Sequence, residues 1–211
     1  QMLRAIARYR KRLLPFAVIN PAFPGWQSDL DECVRDHKIV GVRLFPAYHG
    51  YEIGDPCSRE LFHQLHDRQL PVQIAPLVAE PRMHHPRALV PPARIDALPA
   101  ILEEFPQLAV CVLNAPGIGG IFPNARRIPK ASRLFMDISG IESVSGVARL
   151  AETVGVDRLL FGTDFPCLNG ATKQHFGVDR SHLTFLRGLG LPTSTLEAIL
   201  SGNLLRILRR P

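Results

Sequence analysis

Arg158-Leu-Leu-Phe-Gly-Thr-Asp-Phe-Pro166 reads as a short apolar strand that runs into Gly162 and presents Thr163 and Asp164 at its carboxyl end. A carboxylate in such a place is costly to desolvate unless a metal, a cation or a proton in transit compensates it. A plainer reading makes Asp164 the cap of a loop. The order strand, Gly, Thr, Asp, Pro favours a catalytic one.

Five further runs of the same kind lie upstream: Phe16–Asn20, Val40–Phe45, Val72–Ala75, Ala109–Leu113 and Leu134–Ile138. They are short, rich in Val, Ile, Leu and Phe, and nearly continuous rather than alternating. That pattern predicts parallel strands buried on both faces.

Amphipathic segments separate the runs. Asp55-Pro56 has the form of an N-cap followed by Pro at N1, opening a helix through Leu61, Phe62 and Leu65. Ile95, Leu98, Ile101, Leu102 and Phe105 follow helical spacing, with Pro99 where it disturbs a first turn least. Val144 to Val154 predicts a third helix closed by Gly155. Ser194 and Glu197 have capping-box spacing, with Gly202-Asn203 ending that helix before Leu204–Leu208. Leu3, Ile6, Ala7 and Leu14 suggest a helix over residues 3–14.

The strands recur at the pitch of βα repeats, and no linker or composition shift divides residues 1–211, so one domain is expected. Pro and Gly gather just after strands, at Pro21 to Gly25, Pro46, Pro116-Gly117 and Pro166. A (β/α)-barrel builds its active site from such segments at the strand carboxyl ends. Six strands fall short of the eight that a closed barrel arranges in about 250 residues. Either the sheet is open and doubly wound, or the first two βα units are absent. The start on Gln1 favours the second, an incomplete α/β barrel whose strand edges are covered by the N-terminal helix, by a partner in a homo-oligomer or by further residues.

Composition narrows the classes. With 211 residues, 46% hydrophobic and 21% charged, the chain supports one sizeable core and is not disordered as its main state. No apolar run reaches the roughly 18–20 residues of a membrane helix, and Gln1-Met2-Leu3-Arg4 does not open a signal peptide. The net charge of +6 belongs to the ends, since residues 13–203 hold 17 basic against 19 acidic side chains. Without aromatic interleaving or a recognition motif, those terminal charges do not predict nucleic-acid binding. The cysteines at 33, 57, 111 and 167 form no CxxC and no short Cys-His spacing, which excludes a zinc ribbon and a secreted disulfide framework. A reducing, cytoplasmic compartment is expected, with Cys111 in the core.

The segment ending at Asp164 resembles the last barrel strand of the amidohydrolase-2 family of metal-dependent hydrolases. The resemblance extends through Gly41-Val-Arg-Leu-Phe-Pro46, Tyr48-His-Gly-Tyr51 and Ile199-Leu-Ser-Gly-Asn203, and spans about residues 13 to 208. It implies a TIM-like (β/α)₈ barrel whose members hydrolyse C–N, C–O or C–C bonds, or decarboxylate, usually around a divalent metal such as zinc. It further implies metal ligands from a His-x-His, from His on the family's fifth and sixth strands, and from the Asp that Asp164 matches. There Asp164 would bind metal and take a proton from the attacking water. This chain has no His-x-His, Ala75 at the fifth-strand position, and Asn114 and Ala115 at the sixth. Zinc needs three or four ligands, and some lactonases resembling this group work without metal.

Other polar residues fall at strand ends. His49, in the turn Tyr48-His-Gly-Tyr51, is either an exposed loop residue or a mouth residue that binds substrate or shuttles a proton. Arg43 either makes an ion pair or, if inward, binds a carboxylate. Glu80, Arg82, His84 and His85 follow the third run; Arg82 and His85 join Asn114 as candidate substrate contacts. His63 and His66 are read as outward or packed. Asp137 either supports the mouth or caps a helix opening near Ile141. Gly117 to Gly120 lacks the dinucleotide fingerprint.

The leading expectation is a hydrolase for a small polar or carboxylate-bearing molecule, with Asp164 as general base and His49 assisting. The alternatives are a metal-free lactonase or decarboxylase, and an inactive barrel serving as a scaffold.

Overall fold

A computed structural model describes residues 2–77, 85, 90–114, 128–129, 132–139, 141, 144–163 and 180–208. The described elements are α1 (Met2–Ile6), β1 (Phe16–Val18), α2 (Trp26–Arg35), β2 (Gly41–Leu44), α3 (Pro46–His49), α4 (Pro56–Asp67), β3 (Val72–Ile74), α5 (Leu98–Glu104), β4 (Val110–Val112), β5 (Leu134–Asp137), α6 (Val144–Val154), β6 (Leu159–Leu160), α7 (Arg180–Gly188), α8 (Thr193–Glu197) and α9 (Asn203–Leu208). The strands form one parallel sheet in the order β1-β2-β3-β4-β5-β6. A doubly wound sheet reverses its order at a switch point. This one does not, so it has the winding of a (β/α)-barrel, and each predicted run contains a strand.

The continuous apolar runs are explained by burial on two sides. Because successive strand residues face opposite ways, Leu134 and Met136 join the outer core while Phe135 faces the inner one. The outer core packs Val42, Leu44, Val72, Ile74, Val110 and Val112 against helix residues such as Leu30, Leu61, Phe62, Leu65 and Leu102. The inner face carries Ala75, Ala109, Cys111, Leu113, Phe135 and Leu160, with Ile207 of α9 and Phe45 against it.

Gly41 shows how closely β2 and β3 are packed. A Cβ there would lie 2.7 Å from the Pro71 carbonyl oxygen, which accepts the Val42 N–H at 3.0 Å. Backbone held in a ladder cannot swing aside as a side chain can. Gly41→Ala is expected to destabilise the fold by about 1–3 kcal/mol, read by chemical denaturation. An unchanged midpoint would show that β2 shifts without cost.

Several local expectations are corrected. The N-terminal helix spans only Met2–Ile6, followed by a 3₁₀ turn at Ala7–Tyr9, and no residue of α1 is buried. A helix without a buried face has little to extend it. Asp55 holds the N-cap position of α4, but its Oδ2 accepts the Glu52 N–H at 2.8 Å rather than a helix donor. The 95–105 helix begins at Leu98. Pro192, not Ser194, is the N-cap of α8, because its fixed φ suits the turn into a helix. Gly202-Asn203 does not end that helix either, since a π turn at Ala198–Gly202 carries it into α9. Helices α2, α3 and α7 have no counterpart among the sequence expectations.

The π turn has a use. It leaves the Ile199 carbonyl free to accept the Phe161 N–H at 3.0 Å, while buried Asn203 donates from Nδ2 to Leu159 O (2.7 Å) and Val156 O (3.1 Å). The bonds at Leu159 O and Phe161 N are made on the side of β6 away from β5, whose Ile138 N–H is accepted by Leu160 O. The C-terminal helical run therefore covers this edge, a cover absent from the sequence expectations. At the opposite end, no described strand pairs with β1 beyond β2, and Val18 is 54% exposed.

Candidate active site

The strand register decides which polar residues share the inner face. Val18 pairs with Arg43, Arg43 with Gln73, Gln73 with Cys111, and Cys111 with Phe135, so Arg43 lies in the inner row that Cys111 and Phe135 occupy. Asp137, two residues beyond Phe135, lies on the same face at the carboxyl end of β5. Burial pushes the Cys111 thiol up; the Asp137 charge adds to that and the Arg43 charge opposes it. Cys111 thus feels the two ionisable residues from either side. A buried thiol held protonated is not a nucleophile.

Asp137 is the centre of a hydrogen-bonded group. Its Oδ1 accepts the Asn114 N–H at 2.8 Å and the Ser139 N–H at 3.4 Å. The Ser139 hydroxyl stands 2.9 Å from that oxygen and 2.8 Å from Asn114 Oδ1, and its single proton serves one of them at a time. These bonds hold Asn114 in the left-handed region at φ 53°, a conformation that Asn tolerates better than most residues. A Cβ on Gly162 would lie 2.8 Å from Asp137 Oδ2, so a larger residue there would have to displace this carboxylate. Asp137 therefore stands at the carboxyl end of β5 with its Oδ1 bonded to the Asn114 and Ser139 N–H groups.

A second group stands beyond β2. Pro46 opens α3, which ends on Gly50 at φ 70° and carries His49 to the mouth. The Arg43 guanidinium carbon lies 5.4 Å from the Phe45 ring centre. Phe45 meets His49 edge-on at 6.2 Å, and His49 stacks on Tyr51 at 6.1 Å. Arg43 Nε, His49 Nδ1 and Tyr51 Oη are all buried without a hydrogen-bond partner. Burial lowers the His49 pKa, favouring neutral imidazole, and raises that of Tyr51, keeping the phenol protonated.

The predicted site residues thus divide. Arg43 and His49 each contact the Phe45 ring just beyond β2, and Asn114 joins Asp137 at β4 and β5. His85 is exposed, and Asp164, Arg82, His84 and the Gly117 to Gly120 loop lie outside the described residues. His63 packs edge-on against Phe105 at 4.7 Å, away from the mouth as read. Tyr51 and Ser139 were not among the candidates. Each carried a signal: Tyr51 closes the Tyr48-His-Gly-Tyr51 turn, and Ser139 follows Asp137 at the spacing of one strand face.

The described donors do not fit a divalent metal. No group of three His, Cys, Asp or Glu side chains converges among the described residues. Ala75 ends β3, and Asn114, at the end of β4, is occupied with Ser139. A metal wants three or four ligands, so no chemical step is assigned to one here.

The chain belongs to the amidohydrolase family, whose model matches residues 1–210. No curated protein matches it. Among solved structures it is similar to 2,6-dihydroxybenzoate decarboxylase from Rhizobium, with a TM-score of 0.69, 17% identity, and 98% of this chain against 74% of that one. The 5-carboxyvanillate decarboxylase of Sphingomonas paucimobilis gives a TM-score of 0.72 at 16% identity, over 100% of this chain and 70% of that one. A dihydroxybenzoic acid decarboxylase from Polaromonas sp., solved with manganese and 2-nitroresorcinol, gives 0.72 at 14%, over 98% and 72%. At these identities the likeness shows a TIM-barrel fold, and no chemistry is transferred by it. No helix among the described residues is long and apolar enough to cross a membrane.

Proposed function

We propose that this chain is an enzyme that binds a small polar or carboxylate-bearing molecule over the carboxyl ends of its strands and moves a proton through Asp164. The observation that carries this reading is the Arg43 guanidinium on the inner face, with Nε buried and unpartnered. A buried guanidinium donor is costly until an anion accepts from it. Arg43 holds the substrate's charged end, His49 faces the mouth as a neutral imidazole, and Arg82, His85 and Asn114 supply further contacts. In the hydrolytic reaction, Asp164 takes the proton of a water attacking the substrate carbonyl and then returns it to the leaving group.

A second reading is decarboxylation, favoured by the similar structures of enzymes for hydroxylated aromatic acids. Here the Asp164 carboxylic acid protonates the carbon that bears the carboxylate. The C–C bond breaks, its electrons restore the ring, carbon dioxide leaves, and solvent reprotonates Asp164. Cys33, Cys57 and Cys111 are free thiols, which suits a cytoplasmic setting.

The two reactions separate by product. Purified protein is incubated with 2,6-dihydroxybenzoate and with a lactone panel, with and without manganese or zinc. Release of carbon dioxide supports decarboxylation, and release of hydroxy acid supports hydrolysis. Neither product under any condition would return the chain to the scaffold reading.

A further inference from the structure

Arg4, Arg8, Arg10, Lys11 and Arg12 crowd one short stretch of chain, and no acidic residue precedes Asp29. Helix α1, the 3₁₀ turn at Ala7–Tyr9 and the bonds of the Arg12 and Leu13 N–H groups to Tyr9 O, each 2.8 Å, make residues 2–13 one helical coil. Its sides differ. Leu3, Ile6 and Arg10 are half-buried, and Arg10 Nη2 donates to His37 O at 2.9 Å and Lys38 O at 3.1 Å, which ties this side to the turn after α2. Met2, Ala5, Tyr9 and Leu13 recur at helical spacing as an exposed, mainly apolar stripe; Met2 is 54% exposed, Tyr9 45% and Leu13 47%. Arg4, Arg8 and Lys11 form a second exposed stripe, with Arg12 exposed beside them. None of these four cations makes an ion pair among the described residues, and Arg8 lies over the Tyr9 ring at 4.8 Å. Asp36, in the turn that Arg10 grips, already pairs with Arg35 at 2.8 Å.

We infer that residues 2–13 form a docking surface for an anionic lipid bilayer, where the cations meet headgroups and Met2, Tyr9 and Leu13 enter the layer below. The two stripes together select the occupant. A second copy of this chain would set one basic coil against another, which like charges oppose. Nucleic acid would engage the cations, but Met2 and Leu13 cannot stack on bases as aromatic rings do. An anionic bilayer uses both stripes. Each cation near its surface strengthens attachment about fivefold, and apolar side chains gain by entering the boundary of headgroups and acyl chains. The attachment is peripheral: it needs no helix across the membrane, and it leaves the strand carboxyl ends open to small molecules. It does not depend on the reaction proposed above.

The test sediments the full chain with vesicles of phosphatidylcholine alone and of phosphatidylcholine containing about 30% phosphatidylserine. Partitioning is expected to be at least about tenfold stronger onto the anionic vesicles, and to fall about fivefold or more as salt rises from about 0.1 to about 0.5 M. The triple variant Arg4→Glu, Arg8→Glu and Arg12→Glu should abolish the preference, whereas lysine at the same three positions should keep it. Met2→Ser, Tyr9→Ser and Leu13→Ser together should weaken partitioning about fivefold or more with every charge in place. All these side chains are exposed, so Tm should stay near that of the parent protein; if a variant fails to fold, the lipid and salt contrasts of the parent protein still decide. Equal partitioning onto the two vesicles, none onto either, or full affinity in the glutamate or serine variant would each overturn the docking surface. Tighter binding to a short DNA duplex than to anionic vesicles at equal phosphate concentration would overturn it in favour of nucleic acid.

Discussion

Asp164→Asn is expected to lower kcat by about 10²-fold or more, the scale of losing a general acid or base. The substitution keeps the size and shape of the side chain and removes only its ability to hold and release a proton. Thermal stability and KM should therefore stay close to those of the parent protein, while kcat and kcat/KM fall together, as they do when an interaction exists only in the transition state. The same outcome is expected for hydrolysis and for decarboxylation, because both route a proton through this carboxyl group. A rate within a few-fold of the parent would return Asp164 to a structural role. A fall in Tm with a proportional loss of activity would do the same.

Asn203→Ala is expected to destabilise the fold by about 2–4 kcal/mol. The Asn203 amide is buried and donates to two carbonyls, Leu159 O and Val156 O, while its Oδ1 accepts from Arg206 at 2.9 Å. Arg206 also donates to Asp157 O, so one side chain organises the whole approach to β6. Removing the amide leaves two acceptors without their donor, each worth about 1–3 kcal/mol when buried. In a domain of this size that corresponds to a fall in Tm of roughly 5–15 °C. Asn203→Asp should be worse than alanine near neutral pH, because it turns a donor toward two carbonyls into a charged acceptor. Should both variants melt with the parent protein, the edge of β6 is held by other contacts.

The six strands were legible because their physics is local. Each is a short apolar run bounded by Pro, Gly or charge, and continuity rather than alternation signals burial on both faces. Helix α6 was equally plain, with Val147, Leu150 and Val154 buried and Gly155 closing it at φ 91°. Helix α2 shows how a correct signal can be thin. Trp26, Leu30, Cys33 and Val34 sit on one helical stripe in the core, yet polar residues separate them and Gly25 precedes them in place of a side-chain cap. The C-terminal segment misled for another reason. Ser194 and Glu197 satisfy a capping rule, but Pro192 already terminates the preceding chain, and Gly202-Asn203 lies within a π turn whose carbonyl is needed elsewhere.

The candidate site was legible as residue types more than as an arrangement. Arg43, His49 and Asn114 stand out because polar groups at the ends of apolar runs demand partners. Their partners are distant in sequence: Asn114 bonds Asp137 and Ser139. Period-two alternation places Arg43 with Gly41 and Phe45 on one face, but it is symmetric and does not say which face is inside. That symmetry is broken only when helices cover one side of the sheet and curvature turns the other inward. The sequence by itself determined the six parallel βα-type strands found among the described residues and the polar residues near their carboxyl ends. Only the tertiary structure decided their sequential order, the turning of Arg43 to the inner row with Cys111, the burial of unpartnered polar atoms on Arg43, His49 and Tyr51, and the covering of β6 by Asn203. These are products of tertiary packing, which brings together groups that local propensity leaves independent.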